Sequence, residues 1–402
     1  MRDASTRPAG GGPAATPPGD APVPVVLAGA RGHGAWHLEN LRRLSATGLV
    51  RLAGICDTVP LAPGEPAGFP GPAHGTDLGE LTARTGAGIV IVCTPLHTHT
   101  DLALAAAAQG AHVLLEKPPA LSYAAYERLM AGVEASGRAC QIGFQSLGSH
   151  AVAAVRALVA DGAIGAVRGI GAAGNWVRDE HYFRRAAWSG LRRIGGTDVV
   201  DGVLTNPLAH AVATALALDG SERAEDVGAI ELELFRANAI EADDTSALRL
   251  RTARGTVVTV TATLCAERNT EPYVVVHGDR GRVTFWYKQD RVLLQRAGHG
   301  PQEQRYGRRD LLENLVAHVR HGEDLLVPPR ATGAFMKVVE AVRTAPDPVP
   351  LPDGAWRTEP GERSTRRVVT GVDGMVTAGA ESLALFSELG APWAAPNGVV
   401  RR

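Results

Sequence analysis

The sequence predicts two joined units: an N-terminal doubly wound parallel α/β sheet, then an α+β unit with a mostly antiparallel open sheet flanked by helices. Three observations predict it. Strand-sized and helix-sized segments alternate from residue 23 to about 145, which is how a parallel sheet with helices on both faces is written. Six strand-like runs then follow one another over 227–296 with no helix-sized pattern between them. Finally, the first apolar run opens directly into a glycine-rich stretch, Gly29 to Gly34, with a helix after it.

Each element has its own warrant. Residues 1–22 are rich in Pro, Gly and Ala and lack the apolar stretch of a secretory signal, so they read as a disordered leader. VPVVLAG is a short, continuous apolar run, as a buried parallel strand should be. GAWHLENLRRLSATG reads as a helix stopped at Gly48, and RLAGICD as a second strand ending at Asp57. After a Pro/Gly-rich loop come a short helix (DLGELTARTG), a strand (GIVIVCTP), a helix (THTDLALAAAAQG), a strand (AHVLLEKP), a helix (SYAAYERLMAGVEASG) and a strand (ACQIGFQ). HAVAAVRALVADGAIG is an amphipathic helix, followed by a polar, aromatic segment through Trp188. The six runs are VGAIELELF, TSALRLRT, TVVTVTATLC, YVVVHG, RVTFWY and RVLLQ, punctuated by turn signals at 253–255 and 278–281. LLENLVAHVRHG and ATGAFMKVVEAVRTA are helices, and the Pro/Gly-rich remainder carries one helical segment near AGAESLALFSELG. The expected division is a leader over 1–22, a nucleotide-binding domain over 23–146, a substrate-binding and oligomerisation domain over 147–345, and an extension over 346–402.

Composition narrows the function. The 402 residues carry 41 basic and 42 acidic side chains, so neither a nucleic-acid surface nor a polybasic membrane surface is expected. No stretch approaches the roughly 18 apolar residues of a membrane span. Cys56, Cys93, Cys140 and Cys265 are widely spaced with no C-x-x-C pair, which argues against a zinc site or a disulfide framework and for a reducing cytoplasm. No metal is expected. Lysine occurs only at Lys117, Lys288 and Lys337, so a lysine in a site-like position is informative.

The glycine-rich stretch reads Gly29-Ala30-Arg31-Gly32-His33-Gly34. Glycines between a strand and a helix let a phosphate approach backbone N–H groups at the helix N-terminus. A strict G-x-G-x-x-G would put glycine at 31, where this chain has Arg31. Asp57, at the second strand's end, can accept both ribose hydroxyls and repels a 2′-phosphate, so NAD is the expected cofactor. Arg31 keeps NADP as the alternative. The next two strands end Cys93-Thr94-Pro95-Leu96-His97-Thr98-His99 and Glu116-Lys117-Pro118, where ligands of a doubly wound sheet sit.

With the glycine turn, T-P-x-x-x-H followed by E-K-P resembles the Gfo/Idh/MocA oxidoreductases, named for glucose–fructose oxidoreductase, inositol dehydrogenase and a rhizopine-catabolism protein. The resemblance covers about residues 23–345 and implies a Rossmann domain. It also implies a cofactor site made by Gly29, Arg31, Gly32, His33, Gly34, Asp57, Thr94, Pro95, His99, Glu116, Lys117 and Gln145, with Lys117 at the reacting end. Lys117 and Pro118 are joined by a bond that could be cis. Gly195 to His210 looks like the family's glycine-rich turn and D-x-G-x-H helix start, with His210 at the histidine position and Asn206 where aspartate is usual. Residues at i and i+4 share a helix face, so Asn206 and His210 are expected to point at one substrate. Histidine has the pKa to take a hydroxyl proton, whereas an amide cannot; Asp201 is a substitute carboxylate if the turn is remodelled. Leu96 and Leu147 stand where many relatives carry asparagine and arginine. Trp176, Arg178, Tyr182, Arg185 and Trp188 interleave rings with guanidinium groups, which suits a polyhydroxylated or acidic substrate, and Asn206 joins them as a binding group.

The first reading is therefore an NAD(P)-dependent oxidoreductase acting on a secondary hydroxyl or ketone of a sugar, cyclitol or sugar derivative. A second keeps the cofactor bound and oxidises transiently for elimination or epimerisation. A third is a non-catalytic dinucleotide sensor. Relatives commonly pair through the second sheet, and its apolar runs on both faces carry the expectation of a homo-oligomer.

Overall fold

The computed structural model describes residues 21–59, 62, 68–394 and 400–401. The expected leader, up to residue 20, lies outside the described residues. The first unit runs β1 (Val23–Ala28), α1 (Gly34–Ala46), β2 (Val50–Cys56), β3 (Ala73–Gly75), α2 (Leu78–Thr85) and β4 (Ile89–Val92). It continues through α3 (His99–Ala108), β5 (His112–Leu115), α4 (Tyr123–Ser136) and β6 (Cys140–Ile142). The sheet order is β3-β2-β1-β4-β5-β6, all parallel, so the chain reverses its winding direction between β1 and β4. Its strands are near-continuous apolar runs because helices cover both faces: Val25, Val26, Ile89, Val90, Ile91 and Val113 are fully buried.

The second unit begins with α5 (His150–Ala160), β7 (Val167–Asn175), a one-turn α6 (Glu180–Phe183), and the short pair β8 (Arg193–Ile194) and β9 (Thr197–Asp198). Then come α7 (Ala209–Asp219), β10 (Val227–Arg236), β11 (Thr245–Thr252), β12 (Val257–Thr263), β13 (Tyr273–Gly278), β14 (Gly281–Trp286), β15 (Arg291–Arg296) and β16 (Gln302–Arg305). Helices α8 (Leu311–His321) and α9 (Gly333–Thr344) follow. The chain ends with β17 (Val349–Pro350), β18 (Trp356–Pro360), β19 (Thr365–Val369), α10 (Val372–Ser382) and β20 (Val400–Arg401). The large sheet runs β16-β15-β14-β13-β7-β12-β11-β10-β17, with β20 also on β10. The six expected strand runs are β10 to β15.

Strand β7, which no strand pattern in the sequence announces, sits in the middle of this sheet, antiparallel to β13 and parallel to β12. VRGIGAAGN has little β propensity because both faces are crowded. A Cβ on Gly171 would lie 1.9 Å from the Ala380 carbonyl oxygen of α10, and one on Gly174 would lie 2.3 Å from a Leu208 methyl on the opposite side. Only glycine lets both layers close on the strand.

The same geometry corrects the expected open face. Helix α10 and the chain after it cover the side of the sheet away from α7. Val369, Val372, Val376, Ala380, Leu385, Phe386 and Trp393 bury themselves against Ala173, Phe235, Ala247 and Cys265. The apolar residues of β12 and β14 mostly face the other way, into the main core (Val258, Val260, Ala262, Val283 and Phe285), and the outer face over β7, β10 and β11 is taken up by the chain's own extension. Two smaller differences concern helices. The C-terminal helix begins at Val372, before the expected segment, and Leu383 ends it in a left-handed conformation. Helix α7 begins only at Ala209, and Asn206 lies in the turn before it, so Asn206 and His210 do not share a helix face as expected.

Candidate active site

The site forms where β1, β4 and β5 end. Gly29 and Gly32 have positive φ (83° and 59°), and a Cβ on Gly29 would lie 2.2 Å from the Cys93 carbonyl oxygen. Gly34 packs its own α-carbon against the Gly29 carbonyl, where a Cβ would come within 2.0 Å. A Cβ on Gly32, in contrast, would meet nothing within 4 Å, so there is room above the turn and in front of the α1 N-terminus. That cradle fits a pyrophosphate. Asp57 accepts hydrogen bonds from the Ala30 N–H (3.3 Å) and the Val59 N–H (3.1 Å), and Arg31 reaches it at 3.2 Å while donating to the Val59 carbonyl. The residues present therefore fit a dinucleotide.

Below the cradle, Glu116 is buried and gathers donors. His37 Nε2 (2.9 Å) and Gln145 Nε2 (2.9 Å) both meet its Oε1, with His33 Nε2 at 3.5 Å, and the Lys117 N–H donates to Oε2 (3.3 Å). Burial alone would raise this carboxyl, but hydrogen bonds and charge from His33 and His37 outweigh it and hold it well below the usual carboxylate range. His37 escaped the sequence reading, although it stands four residues after His33 on the same helix, a spacing that puts both on one face. His33, His37 and Glu116 are the one His/Cys/acid group of ligand-like reach among the described residues. The Gln145 amide on Oε1 makes it read as a hydrogen-bonded carboxylate clamp.

The Lys117–Pro118 peptide is cis. Thr94 Oγ1 bonds Thr98 Oγ1 (2.6 Å), and Pro95 is exposed at the start of the turn that follows. His99 is not directed at a cofactor. It is 1% exposed, with Nδ1 at 2.7 Å from the Pro118 carbonyl and Nε2 at 3.0 Å from the Thr94 carbonyl. It ties the two motif loops together, and burial lowers its pKa.

The ammonium of Lys117 donates to both the backbone carbonyl (3.0 Å) and the side-chain Oδ1 (2.7 Å) of Asn206. Asn206 Nδ2 in turn donates to Asp201 Oδ1 (2.7 Å). Burial lowers the Lys117 pKa, opposed by the Glu116 and Asp201 charges. The turn carrying Asp201 is tightly pinned. Buried Asp243 accepts from the Val203 N–H and Ser246 Oγ, and leaves no room for a side chain at Gly202. Val200, just before Asp201, is held at φ 53°, where a β-branched residue costs about 1–3 kcal/mol of strain; Thr205 Oγ1 donates to its carbonyl.

His210 lies beside Phe144 (ring centroids 5.5 Å) and Tyr287 (6.4 Å), with Nδ1 3.1 Å from Ser146 Oγ. Burial, then the Lys117 charge, pull its pKa down to about 3, so the ring is neutral at pH 7. When Nδ1–H donates to Ser146, Nε2 carries the lone pair a base needs. No local pattern marks Ser146, Tyr287 or Arg308, whose charge also acts on His210.

The aromatic segment forms a ladder of cations on rings. Arg178 lies over Trp176 (4.8 Å) and Tyr182 (4.9 Å), and Arg185 over Tyr182 (3.8 Å) and Trp188 (4.8 Å). Arg185 also reaches Asp201 at 3.6 Å, joining the ladder to Lys117 and Asn206. Behind it the β18–β19 hairpin braces α6: Asp179 accepts from the Tyr182, Arg363 and Ser364 N–H groups. A separate cleft of about 500 Å³ between α1 and α8 is lined by Trp36, Asn40, Arg43, Arg308 and Asp310.

Residues 23–144 match the model of the oxidoreductase family with an NAD-binding Rossmann fold, and residues 152–284 match the Gfo/Idh/MocA C-terminal domain. The chain is 35% identical over 120 residues to 4-carboxy-2-hydroxymuconate-6-semialdehyde dehydrogenase of a Sphingobium species, covering 30% of this chain and 37% of that protein. It is 26% identical over 273 residues to levoglucosan dehydrogenase of Pseudarthrobacter phenanthrenivorans, covering 63% and 69%. Among solved structures, the WlbA dehydrogenase of Bordetella pertussis, in complex with NADH and UDP-GlcNAcA, superposes with a TM-score of 0.66 at 20% identity, over 80% of this chain and 95% of that one.

Proposed function

The chain belongs to the Gfo/Idh/MocA oxidoreductase family, and from that membership we propose that it is an NAD-dependent dehydrogenase acting on a secondary hydroxyl, or the matching ketone, of a sugar, cyclitol or sugar derivative. The observation that carries this reading is the Lys117 ammonium, at the end of β5, bonded to Asn206 on the turn that leads into the helix of His210, whose pKa burial and then the Lys117 charge lower. The names of the curated relatives, both dehydrogenases, support the reaction class, and levoglucosan dehydrogenase supports the carbohydrate-like substrate.

Bound NAD supplies the hydride acceptor. The chain's own residues handle the oxygen and the proton. An ammonium has three N–H bonds; Lys117 gives two to Asn206, which leaves one to hold and polarise a substrate oxygen. His210, neutral, takes the hydroxyl proton at Nε2. The ladder from Trp176 to Trp188 offers ring faces to a sugar's C–H groups and guanidinium edges to its oxygens. Asp57 favours NAD over NADP by placing a carboxylate where a 2′-phosphate would sit.

We read residues 23–146 as the nucleotide-binding domain, 147–345 as the substrate domain and 346–402 as an extension. A cytoplasmic location fits four free cysteines, and no described helix is long and apolar enough to cross a membrane. Because the extension packs on the outer face over β7, β10 and β11, we propose a monomer in place of the expected pairing through the second sheet. Incubating the purified protein with NAD or NADP and a panel of sugars, sugar acids and cyclitols, levoglucosan included, tests the proposal. Growth of the reduced-nicotinamide absorbance with one of them is expected; none with any of them, in either direction, would refute it.

A further inference from the structure

We propose that Asp201 is the working carboxylate of this site, a positioning residue that holds the Lys117 ammonium through the Asn206 amide and ties it to the substrate segment through Arg185. The inference rests on the reading of Lys117 as the site's lysine. Where a direct carboxylate partner is usual, this chain has Asn206. The amide does not replace the charge; it relays it. Its carbonyl oxygen accepts from Lys117 (2.7 Å) while its nitrogen donates to Asp201 (2.7 Å), so the two ends of one side chain are oriented by an ammonium and a carboxylate. With these partners only one amide orientation satisfies both bonds.

Three further observations say the carboxylate is placed for this. Asp201 is 6% exposed, so its charge acts in a low-dielectric setting. Its second oxygen accepts from the Gly190 N–H (2.8 Å) and faces Arg185 at 3.6 Å, so every partner it has lies on the substrate segment or the Asn206 turn. The strained Val200 and the Cβ-excluding Gly202 on either side fix its direction. The charged and titratable groups facing this chain of contacts are Glu116, Cys93, Arg185, Tyr182 and His210. Burial raises the Asp201 pKa against Arg185 and Asn206, and the Lys117 and Asp201 charges each favour the other's ionised form. A substrate oxygen that displaces one Lys117 contact is therefore felt at Arg185, which stacks on Tyr182 and Trp188.

With only three lysines in the chain, the test needs no substrate. Isotope-labelled lysine in the full-length protein gives three side-chain resonances, assigned with Lys288→Arg and Lys337→Arg, and each can be titrated by NMR. In Asp201→Asn, which keeps an acceptor for Gly190, the Lys117 pKa should fall by about one unit while Lys288 and Lys337 do not move. The double variant Asp201→Asn/Asn206→Asp, with the carboxylate moved into direct contact, should restore it. An unchanged Lys117 pKa in the folded single variant would overturn the inference. If Asp201→Asn does not fold, Asp201→Ser carries the same test. Failure to find a sugar substrate would leave this result standing and sink only the proposed reaction.

Discussion

Lys117 can serve as an oxygen-binding group only because its charge is held without being cancelled. Two of its protons go to one asparagine, and the nearest full negative charges, Glu116 and Asp201, act at one remove. Replacing Lys117 or His210 by alanine should lower kcat by about 10²–10⁴-fold, since each removes a positioned proton carrier or charge stabiliser. Dinucleotide affinity, measured by calorimetry, should stay within a few-fold, because Gly29 to Gly34 and Asp57 lie at the other end of the cofactor site. His210 also sets a pH signature. With its pKa pulled to about 3, the ring stays neutral from pH 5 to 8, so kcat/KM should show no acidic limb near 6.5. A limb there that disappears in His210→Gln would contradict the neutral, enclosed ring. Asp57 bears on cofactor choice: NAD should bind at least about tenfold more tightly than NADP, and Asp57→Ser should narrow the gap.

At the scale of elements, the sequence displays what alternates and hides what is squeezed. The parallel strands were legible because burial on both faces writes continuous Val, Ile and Leu runs. The glycine turn, E-K-P and His210 were legible because each needs a particular residue type at a strand or helix end. Strand β7 was not, since the two layers closing on it leave only glycine and alanine in its middle, and glycine-rich text reads as loop. Asn206 and His210 share a segment but not a helix. The turn, not a shared helix face, brings Asn206 to Lys117. The partnership of His37 with Glu116, 79 residues away, is a tertiary fact that no local pattern carries. The reading of β7 has a direct check. Gly171→Ala must push its methyl against the Ala380 carbonyl, so α10 has to shift or the strand must bend, at a cost of about 1–3 kcal/mol in urea unfolding. Gly32→Ala, with open space around its Cβ but a positive φ, should cost less stability and act instead on dinucleotide binding.

For the whole molecule, the question is whether a second copy is needed to finish the fold. An open antiparallel sheet with apolar residues on both faces would need one. Here α10 and the segment to Ala394 bury Phe386, Trp393 and Val376 against the outer face of β7, β10 and β12, so that face is already core. Beyond α10, the same face of β14 and β15 carries Arg282, Thr284, Trp286, Arg291, Leu293 and Gln295, with Arg282 paired to Glu381 and Arg291 laid over Trp286 at 3.7 Å. The sheet's edges offer little to a second copy as well. Strand β10 is flanked by β17 and β20, and β16 (QEQR) is wholly exposed and polar, a poor template for pairing. The expected outcome is a monomer of 42.0 kDa by light scattering at micromolar concentration. Phe386→Asp, which should loosen the extension and uncover the apolar face, is expected to raise the mass or drive aggregation under the same conditions. A stable dimer of the unmodified chain whose mass does not respond to that substitution would show that the protein associates through a different surface, and that covering this sheet from within does not keep the molecule single.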